Sequence, residues 1–226
     1  MNIVAIIPAK GNSKGLKDKN LRKVGQKSLL ERSIIELKKS KFIDDIFVSS
    51  ESDKILRYSL KKKCKIIKRP NKLSSKTATS ESVLLHAINE IKKNNLKLPS
   101  FICFVQCTSP FQKASDIDNA YKYLKNNKND SVFSATRFYS NLWIKNKNHT
   151  TPLGHNPKKR KIRQNVNNLY RENGAFYIFK TKNFLKTKSR FCLKPAPYLS
   201  EFFSQYEIDD QIDLILSNII CKKFKL

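Results

Sequence analysis

Short apolar runs alternate along this chain with segments that carry apolar residues at helical spacing. Five runs have the length of buried strands, and they cover residues 3–7, 46–49, 65–67, 101–106 and 131–135. Three further segments each place apolar side chains on one helical face: Leu30, Ile34 and Leu37; Leu84, Ile88 and Ile91; and Ile212, Ile215 and Ile219. The alternation predicts an α/β fold whose mostly parallel sheet is flanked by helices on both faces.

Residues 138–168 break this alternation. The segment is polar, contains the only tryptophan, Trp143, and includes Pro152 and Pro157 among many Asn and Lys residues. This composition predicts an excursion from the sheet rather than a core element. Because the chain shows neither internal repeats nor a low-complexity linker, we expect one domain over residues 1–226.

The net charge is the strongest compositional feature. The 226 residues include 46 Lys or Arg and 18 Asp or Glu, which gives a formal net charge of +28. Such a charge first indicates a polyanionic partner such as nucleic acid. However, only nine of the basic residues are Arg, and the lysines are dispersed among many Asn and Ile residues. A solvated lysine surface is therefore the favoured interpretation.

The remaining composition narrows the class of protein. The longest apolar runs have only the length of strands, so we expect no membrane-spanning helix and no membrane partner. The N-terminus shows no basic region or cleavage site of a secretory signal. The five cysteines form no CxxC pair, which argues against a disulfide framework and a zinc ribbon. We expect a reduced, cytoplasmic protein.

The first predicted strand leads directly into a basic loop that contains glycines, at residues 8–20. Ligands bind beyond the carboxyl ends of strands in open α/β sheets, and backbone N–H groups near Gly11 and Gly15 could form an anion-binding concavity. Neither GxxxxGK[ST] nor GxGxxG is present. A plain surface turn remains an alternative for this loop.

Two further segments carry candidate chemistry. Residues 106–110, with the sequence QCTSP, follow the most apolar strand, where they form either part of a binding crevice or a strand-ending turn. Cys107 has no partner residue nearby in the sequence that would make it a nucleophile. Glu207 and Asp209 are spaced to share one face of an extended segment, which suits Mg²⁺. The alternative is a helix start, with Asp209 or Asp210 as N-cap.

Five separated motifs, read in chain order, resemble the acylneuraminate cytidylyltransferase family of CMP-sialic acid synthetases and their relatives. They are IIPAKGNSKGLKDKN at 6–20, RP with Leu73 and TATS at 69–80, QCTSP at 106–110, RQ with YRENGAFY at 163–177, and YEID at 206–209. The resemblance implies a Rossmann-like fold and a homodimer, with residues 138–168 including the arm that crosses to the second subunit. It also implies a reaction of CTP with a nine-carbon 2-keto sugar acid that gives a CMP-sugar and pyrophosphate with Mg²⁺.

The resemblance, together with the charge of CTP, implies roles for individual residues. The residues expected to act in catalysis are Lys14, Lys19 and Asp209. Those expected to bind the nucleotide are Lys10, Gly11, Asn12, Ser13, Gly15, Asn20, Arg69 and Ser80. Those expected to hold the sugar acid are Gln106, Thr108, Ser109, Arg163, Arg171, Asn173 and Tyr177. Glu207 and Asp209 would hold Mg²⁺.

The chain departs from the family pattern at five positions. Lys10 replaces an arginine, which keeps the charge but loses the bidentate fork. Cys107 stands for a proline, Gln112 for an arginine, Lys76 for an aspartate and Glu207 for the first metal aspartate.

Two alternatives stay open. One is the sister reaction on an eight-carbon acid, as in CMP-KDO synthetases, although SKGLKDKN and YRENGAFY look closer to the acylneuraminate branch. The other is a basic nucleic-acid-binding module, for which the chain offers no helix-turn-helix, zinc or aromatic-rich RNA motif. We therefore expect no nucleic-acid partner.

Overall fold

The structure is a computed structural model that describes residues 2–13, 15–94, 97–160, 162 and 169–226. Its strands are β1 (Ile3–Pro8), β2 (Lys23–Val24), β3 (Lys27–Ser28), β4 (Ile43–Ser50), β5 (Lys65–Lys68), β6 (Phe101–Val105), β7 (Ser131–Arg137), β8 (Leu142–Lys145), β9 (Thr150–Leu153), β10 (Tyr170–Lys180) and β11 (Pro195–Leu199). Its α-helices are α1 (Leu29–Lys39), α2 (Asp53–Lys61), α3 (Ser80–Lys93), α4 (Ala114–Asn126), α5 (Thr181–Thr187) and α6 (Gln211–Phe224).

Seven strands form the central sheet, in the order β11-β7-β10-β6-β1-β4-β5. Every neighbouring pair is parallel except the two that involve β10, which runs antiparallel to β6 and β7. The predicted mostly parallel sheet is thus confirmed, while the strand at β10 was not predicted from the hydrophobic pattern. The pairing of β10 with β7 shifts register between Glu172 and Tyr177, where Gly174 has a φ of +72°.

Two of the predicted helical faces pack on opposite sides of this sheet. Leu30, Ile34 and Leu37 of α1 are buried in one cluster with alternate residues of β1 and β6. On the other side of the sheet, α3 buries its own predicted face, which consists of Leu84, Ile88 and Ile91. The side chain of Ser28 caps α1 by accepting a hydrogen bond from the Glu31 N–H. The prediction of helices on both faces is therefore confirmed.

The third predicted helix forms as α6, but its predicted apolar face is not the buried one. Ile212, Ile215 and Ile219 are exposed. The face that packs instead carries Leu214, Ser217 and Cys221. A Cβ added to Gly25 would lie 2.9 Å from the Cys221 sulfur, so small residues on both sides allow α6 to pack closely against the segment that joins β2 and β3. Spacing alone identifies a face without showing whether anything covers it.

The segment predicted as an excursion lies outside the central sheet where the structure describes it. Strands β8 and β9 pair antiparallel as a separate two-stranded hairpin, and all eight of their residues are exposed. Among the described residues, no helix is long and apolar enough to cross a membrane.

The strand directions concentrate loops at one edge of the sheet. The parallel strands β1, β4, β5 and β6 all end at the same edge, and antiparallel β10 begins there. Five chain segments of separate origin in the sequence are therefore brought together, as expected for a ligand site in an open α/β sheet.

We predict that Leu30→Ala destabilises the fold by about 2–5 kcal/mol, because Leu30 is fully buried between α1 and the sheet. Leu60→Ala is the matched control, since Leu60 lies on α2 with 52% of its surface exposed. Urea unfolding at one fixed protein concentration measures both changes. Equal destabilisation by the two substitutions would contradict the burial of α1 against the sheet.

Candidate functional site

A cleft of about 620 Å³ opens at the edge where the parallel strands end. Three segments line most of it: the basic loop after β1, the segment between β5 and α3, and the residues that follow β6. Asp209 completes the lining. The predicted site residues in its wall are Lys10, Asn12, Ser13, Gly15, Lys19, Asn20, Arg69, Ser80, Gln106, Thr108 and Asp209. The structure thus brings together residues more than 190 positions apart in the chain.

The carboxylate of Glu51, just beyond the end of β4, anchors the basic loop from below. The Gly11 N–H donates to Glu51 Oε1 at 2.7 Å. Glu51 Oε2 accepts from Arg69 Nη2 at 3.0 Å and from the Ser74 hydroxyl at 2.5 Å. Burial raises the pKa of Glu51, but the hydrogen bonds from Ser74 and Gly11 and the charge of Arg69 outweigh it and leave this pKa below its ordinary value.

The Arg69 side chain is consequently buried and fixed, unlike a mobile cationic side chain on the surface. Its side chain is 1% exposed, and its guanidinium also donates through Nε to the Ser74 hydroxyl at 2.8 Å. Glu51 therefore neutralises this buried charge at the edge of the cleft, whose lining includes Arg69. Glu51 is not among the site residues predicted from the sequence, although an acidic residue just beyond a parallel strand in so basic a chain is a usable signal.

Two glycines let the loop approach its neighbours closely. A Cβ on Gly11 would lie 2.6 Å from the Ser52 Cβ, and one on Gly15 would lie 2.5 Å from the Asp209 carbonyl oxygen. A larger residue would displace Ser52, the N-cap of α2, at the first position and the Asp209 backbone at the second. The loop is thus held between the start of α2 and the segment that contains Asp209, and it is not a plain surface turn.

The polar side chains of the loop reach across the cleft or back into it. Lys10 Nζ donates to the Ser75 carbonyl oxygen at 2.9 Å, and Lys19 Nζ pairs with Asp209 Oδ1 at 2.9 Å. Asn20 is buried, donates from Nδ2 to the Lys10 carbonyl oxygen at 2.8 Å and accepts the Cys107 thiol at 3.1 Å. The two ammonium groups face the cleft, whereas the Asn20 amide fixes the path of the loop.

The Cys107 thiol is not set up as a nucleophile. Cys107 is buried, and burial raises the pKa of its thiol to about 12. Its hydrogen bond to Asn20 instead links the end of β6 to the basic loop.

The end of β6, the start of β10 and residues 207–209 meet on the other side of the cleft. The Thr108 hydroxyl donates to Glu207 Oε1 at 2.9 Å, and the Ile208 N–H donates to the Thr108 carbonyl oxygen at 2.9 Å. A Cβ on Gly174 would be 3.5 Å from both Gln106 Oε1 and Glu207 Oε2. Burial raises the pKa of Glu207, and the nearby charge of Asp209 raises it further.

The carboxylates of Glu207 and Asp209 suit a hard cation. A bound substrate would supply other ligands of that cation. Mg²⁺ typically takes one or two protein carboxylates, with waters and phosphate oxygens as its other ligands. Among the described residues there is no group of three or more His, Cys, Asp or Glu side chains that could hold a metal ion by themselves. The Asp209 side chain is 74% exposed and borders the cleft, so its oxygens are accessible to an ion bound with substrate.

The alternative interpretation of this acidic segment, a helix start, is also confirmed, with Asp210 as the N-cap. Asp210 is the N-cap of α6, and its Oδ1 accepts from the N–H groups of Ile212 at 2.8 Å and Asp213 at 3.0 Å. Asp210 caps the helix, which leaves Asp209 in the cleft wall, whereas Glu207 is not part of that wall and accepts the Thr108 hydroxyl.

Several predicted site residues lie outside the cleft wall. Ser109 is buried, and Arg171 donates to Gln205 Oε1 at 3.0 Å. Asn173 donates to the Ser200 hydroxyl at 2.8 Å and accepts the Ala175 N–H at 3.2 Å. Lys14 and Arg163 lie outside the described residues.

Tyr177 and Arg190 form a layer behind the cleft wall. The Tyr177 ring stacks on that of Phe104, a cleft residue, at 5.3 Å, and its hydroxyl donates to Glu172. The Arg190 guanidinium lies 4.8 Å from the Tyr177 ring centroid and donates to Glu81 Oε1 at 2.7 Å. Arg190 is not among the predicted site residues, because it lies in none of the five motifs.

A sequence profile of a family described as cytidylyltransferase matches residues 4–223. The chain belongs to this cytidylyltransferase family. The match covers nearly the whole sequence and confirms the resemblance drawn from the five motifs. It also makes the protein a nucleotidyltransferase.

Curated relatives of this cytidylyltransferase fall into two groups by length. It is 26% identical to post-translational flagellin modification protein B of Campylobacter coli, over 99% of this chain and 97% of that protein. It is likewise 26% identical to pseudaminic acid cytidylyltransferase of Campylobacter jejuni, over 98% of this chain and 97% of that protein. The N-acylneuraminate cytidylyltransferase of Streptococcus agalactiae serotype III is 28% identical over 95% of this chain, which spans only 52% of that relative.

Solved structures agree on the fold. A CMP:2-keto-3-deoxy-manno-octonic acid synthetase complexed with CTP superposes with a TM-score of 0.70 at 11% identity, covering 99% of this chain and all of that one. The 4-diphosphocytidyl-2C-methyl-D-erythritol synthase of Anaerococcus prevotii superposes with a TM-score of 0.70 at 20% identity, covering 98% and 96%. The Rossmann-like architecture of the family is thereby confirmed.

We predict that Glu51→Gln lowers the free energy of unfolding by about 3–5 kcal/mol at pH 7, because it leaves the buried Arg69 charge uncompensated. The folded pKa of Glu51 lies below its ordinary value of 4.5, so its stabilisation is fully present above that pH. It is lost as the pH falls through the folded pKa. Denaturant unfolding across this pH range should show the wild type and the variant converging in acid.

Asp53→Asn is the matched control for this prediction. Asp53 pairs with Lys68 at the exposed start of α2, with side chains 68% and 54% exposed, so its loss should leave stability nearly unchanged. A Glu51→Gln protein as stable as the control at pH 7 would contradict the anchoring role of Glu51.

Proposed function

We propose that this cytidylyltransferase transfers CMP from CTP to the anomeric hydroxyl of a nonulosonic acid, a nine-carbon 2-keto sugar acid of the sialic type. The single observation that carries the proposal is the cleft, in which the lysine-bearing glycine loop faces Gln106, Thr108 and Asp209, and Thr108 is hydrogen-bonded to Glu207. The names of the N-acylneuraminate and pseudaminic acid cytidylyltransferases among its relatives support this substrate class.

The basic loop is proposed to hold the triphosphate. CTP carries about four negative charges and the sugar acid one more, so their approach requires screening of the repulsion. Lys10 and Lys19 are bonded to a carbonyl oxygen and to Asp209 respectively, and both can turn to phosphate oxygens from there. The N–H groups around Asn12, Ser13 and Gly15 add donors, and Lys14 is proposed to act with them.

The cytidine part is proposed to lie over the floor formed by Arg69 and Ser80. Because Glu51 and Ser74 hold the Arg69 guanidinium, this residue presents a fixed edge to the nucleotide rather than a mobile charge. Asn20 supports the same pocket through its hydrogen bonds to Lys10 and Cys107. A pocket with such fixed polar groups selects a pyrimidine through hydrogen bonds to the edge of the base.

The sugar acid is proposed to bind on the side of Gln106 and Thr108, with Arg163 as the partner of its carboxylate. Asn173 and Tyr177 act by positioning, because their hydrogen bonds shape the start of β10 next to the cleft. Ser109 and Arg171 would act in the same indirect way. The pocket is therefore supported by a second layer of polar contacts.

The proposed reaction is a direct displacement at the α-phosphorus of CTP. The anomeric oxygen forms the new P–O bond and its proton is released, while the bond to the bridging oxygen breaks and pyrophosphate leaves. No covalent intermediate with the enzyme is required, so positioning and electrostatic stabilisation supply the rate enhancement. When bound by Glu207 and Asp209, Mg²⁺ would neutralise charge that develops on the phosphates.

We also propose a homodimer in which the hairpin β8–β9 contacts the second subunit. Leu142, Trp143, Ile144 and Leu153 of this hairpin are 44–52% exposed, which is unusual for neighbouring large apolar residues. A cytoplasmic location is proposed with it, since CTP is available there.

A second candidate substrate is an eight-carbon 2-keto sugar acid. It is favoured by one observation, the close superposition on a CMP:2-keto-3-deoxy-manno-octonic acid synthetase.

We predict Mg²⁺-dependent release of pyrophosphate from CTP with at least one nonulosonic acid in a panel of sialic, legionaminic, pseudaminic and eight-carbon acids. A coupled pyrophosphate assay on the purified chain measures it. Turnover of the eight-carbon acid alone would establish the second candidate, and no turnover with any acid by folded protein would refute both.

We predict that Asp209→Ala lowers kcat/KM by at least about 100-fold, the order of magnitude for removing one preorganised electrostatic group. Its thermal unfolding midpoint should stay unchanged, because the side chain is 74% exposed. Asp53→Ala removes a carboxylate of similar exposure, 68%, away from the cleft and should retain full activity. Mg²⁺-dependent turnover that survives Asp209→Ala would contradict the metal assignment.

A further inference from the structure

Helix α6 exposes a continuous apolar face, which we call the α6 stripe and define as Ile212, Ile215, Leu216 and Ile219. These side chains are 66%, 50%, 47% and 59% exposed respectively. Their spacing of three and four residues places them on one side of the helix. Single exposed aliphatic residues are ordinary on protein surfaces, but a contiguous set of four marks an interaction surface.

The opposite face of α6 is already fully used by the fold. Leu214, Ser217 and Cys221 are buried there. Asn218 donates from Nδ2 to the Lys23 carbonyl oxygen at 3.2 Å and accepts the Gly25 N–H at 3.0 Å. The helix is therefore fixed in orientation, and nothing in the described part of the chain covers the stripe.

The charges at the two ends of α6 are opposite in sign. Asp210 and Asp213 stand at its start. Lys222, Lys223 and Lys225 stand at its end. If two such helices lie antiparallel about a two-fold axis, each basic end meets the acidic end of the other copy. The stripe is then self-complementary in both apolar surface and charge, as an isologous interface requires.

We propose that the α6 stripe is a self-association surface that packs antiparallel against α6 of a second copy of this chain. In this arrangement Ile215 faces Ile219 of the second copy, and Ile212 faces the aliphatic stem of its Lys223. Lysine stems cover apolar surface while their ammonium groups stay hydrated, so the basic end can close the seam.

A second copy fits this surface better than an anionic membrane does. An amphipathic helix that binds such a membrane carries basic residues along its polar flanks. Here the carboxylates of Asp210 and Asp213 occupy one end of the helix, and they would repel an anionic bilayer while matching the lysines of another copy.

The interface would border the catalytic cleft. Asp213 Oδ2 accepts the N–H groups of Asp209 at 2.9 Å and Asp210 at 3.2 Å, so the first turn of α6 holds the segment that presents Asp209. Packing of α6 against a second copy would steady this turn without placing any residue of the stripe in the cleft.

The test removes the stripe from a protein whose hairpin contact is already disabled. The background variant is Trp143→Lys with Ile144→Lys, which charges the exposed β8–β9 hairpin. Analytical ultracentrifugation of the full chain should show that this background still dimerises. Adding Ile215→Lys and Ile219→Lys should raise its dissociation constant at least about 100-fold, since charges then oppose each other across a desolvated seam. Adding Leu60→Lys, an equally exposed control on α2, should leave it unchanged.

Cysteine pairs test the orientation independently. Under mild oxidation, Ile212→Cys with Lys223→Cys should form a covalent dimer, whereas Ile212→Cys alone should not, because antiparallel helices separate equivalent ends. A monomeric background variant, a dissociation constant unaffected by the two lysines, or efficient cross-linking of Ile212→Cys alone would overturn the proposal. So would stripe-dependent flotation of a monomer with phosphatidylcholine–phosphatidylserine vesicles. Circular dichroism confirms that each variant is folded.

Discussion

The buried ion pair between Glu51 and Arg69 is the contact on which the geometry of the site depends. It joins the ends of β4 and β5, and through the Gly11 N–H it also holds the loop that follows β1. An unpaired charge at that depth would be strongly unfavourable. Removal of either partner would therefore leave the other uncompensated and destabilise the fold. The same contact that stabilises this edge of the sheet therefore shapes the floor of the cleft.

The excess of positive charge acts differently in the cleft and on the rest of the surface. Within the cleft, Lys19 is paired with Asp209 and Arg69 with Glu51, so cations are directed by some of the few carboxylates that the chain possesses. Most other lysines are exposed, where salt screens them and single ion pairs contribute little. The total of +28 thus indicates the sign of the partner's charge but not its size.

Two apolar surfaces remain uncovered in the described part of the chain, the β8–β9 hairpin and the α6 stripe. They belong to different segments, and α6 begins directly after the segment that places Asp209 in the cleft wall. If both surfaces contact other copies, the cytidylyltransferase has more than one level of assembly. Relatives of twice its length show that the same domain also occurs joined to further sequence.

Local sequence determined the elements whose signals are local. The helical spacing of Leu30, Ile34 and Leu37, the apolar run of β6 and the order of the five motifs were sufficient to predict a mostly parallel α/β fold and its family. These features depend on periodicity and on residues adjacent in the chain, which the sequence displays directly.

Tertiary structure alone decided which surfaces meet. The antiparallel course of β10 and the pairing of Glu51 with Arg69 depend on partners that are distant in the chain. The contacts of Arg190 with Tyr177 and Glu81 likewise join residues distant in the chain or outside any motif. No sequence pattern predicted them. The spacing of Ile212 correctly predicted a helix, but only the packed structure showed that Cys221 lies on the inner face and Ile212 on the outer one. Periodicity specifies that a face exists, whereas burial depends on the whole chain.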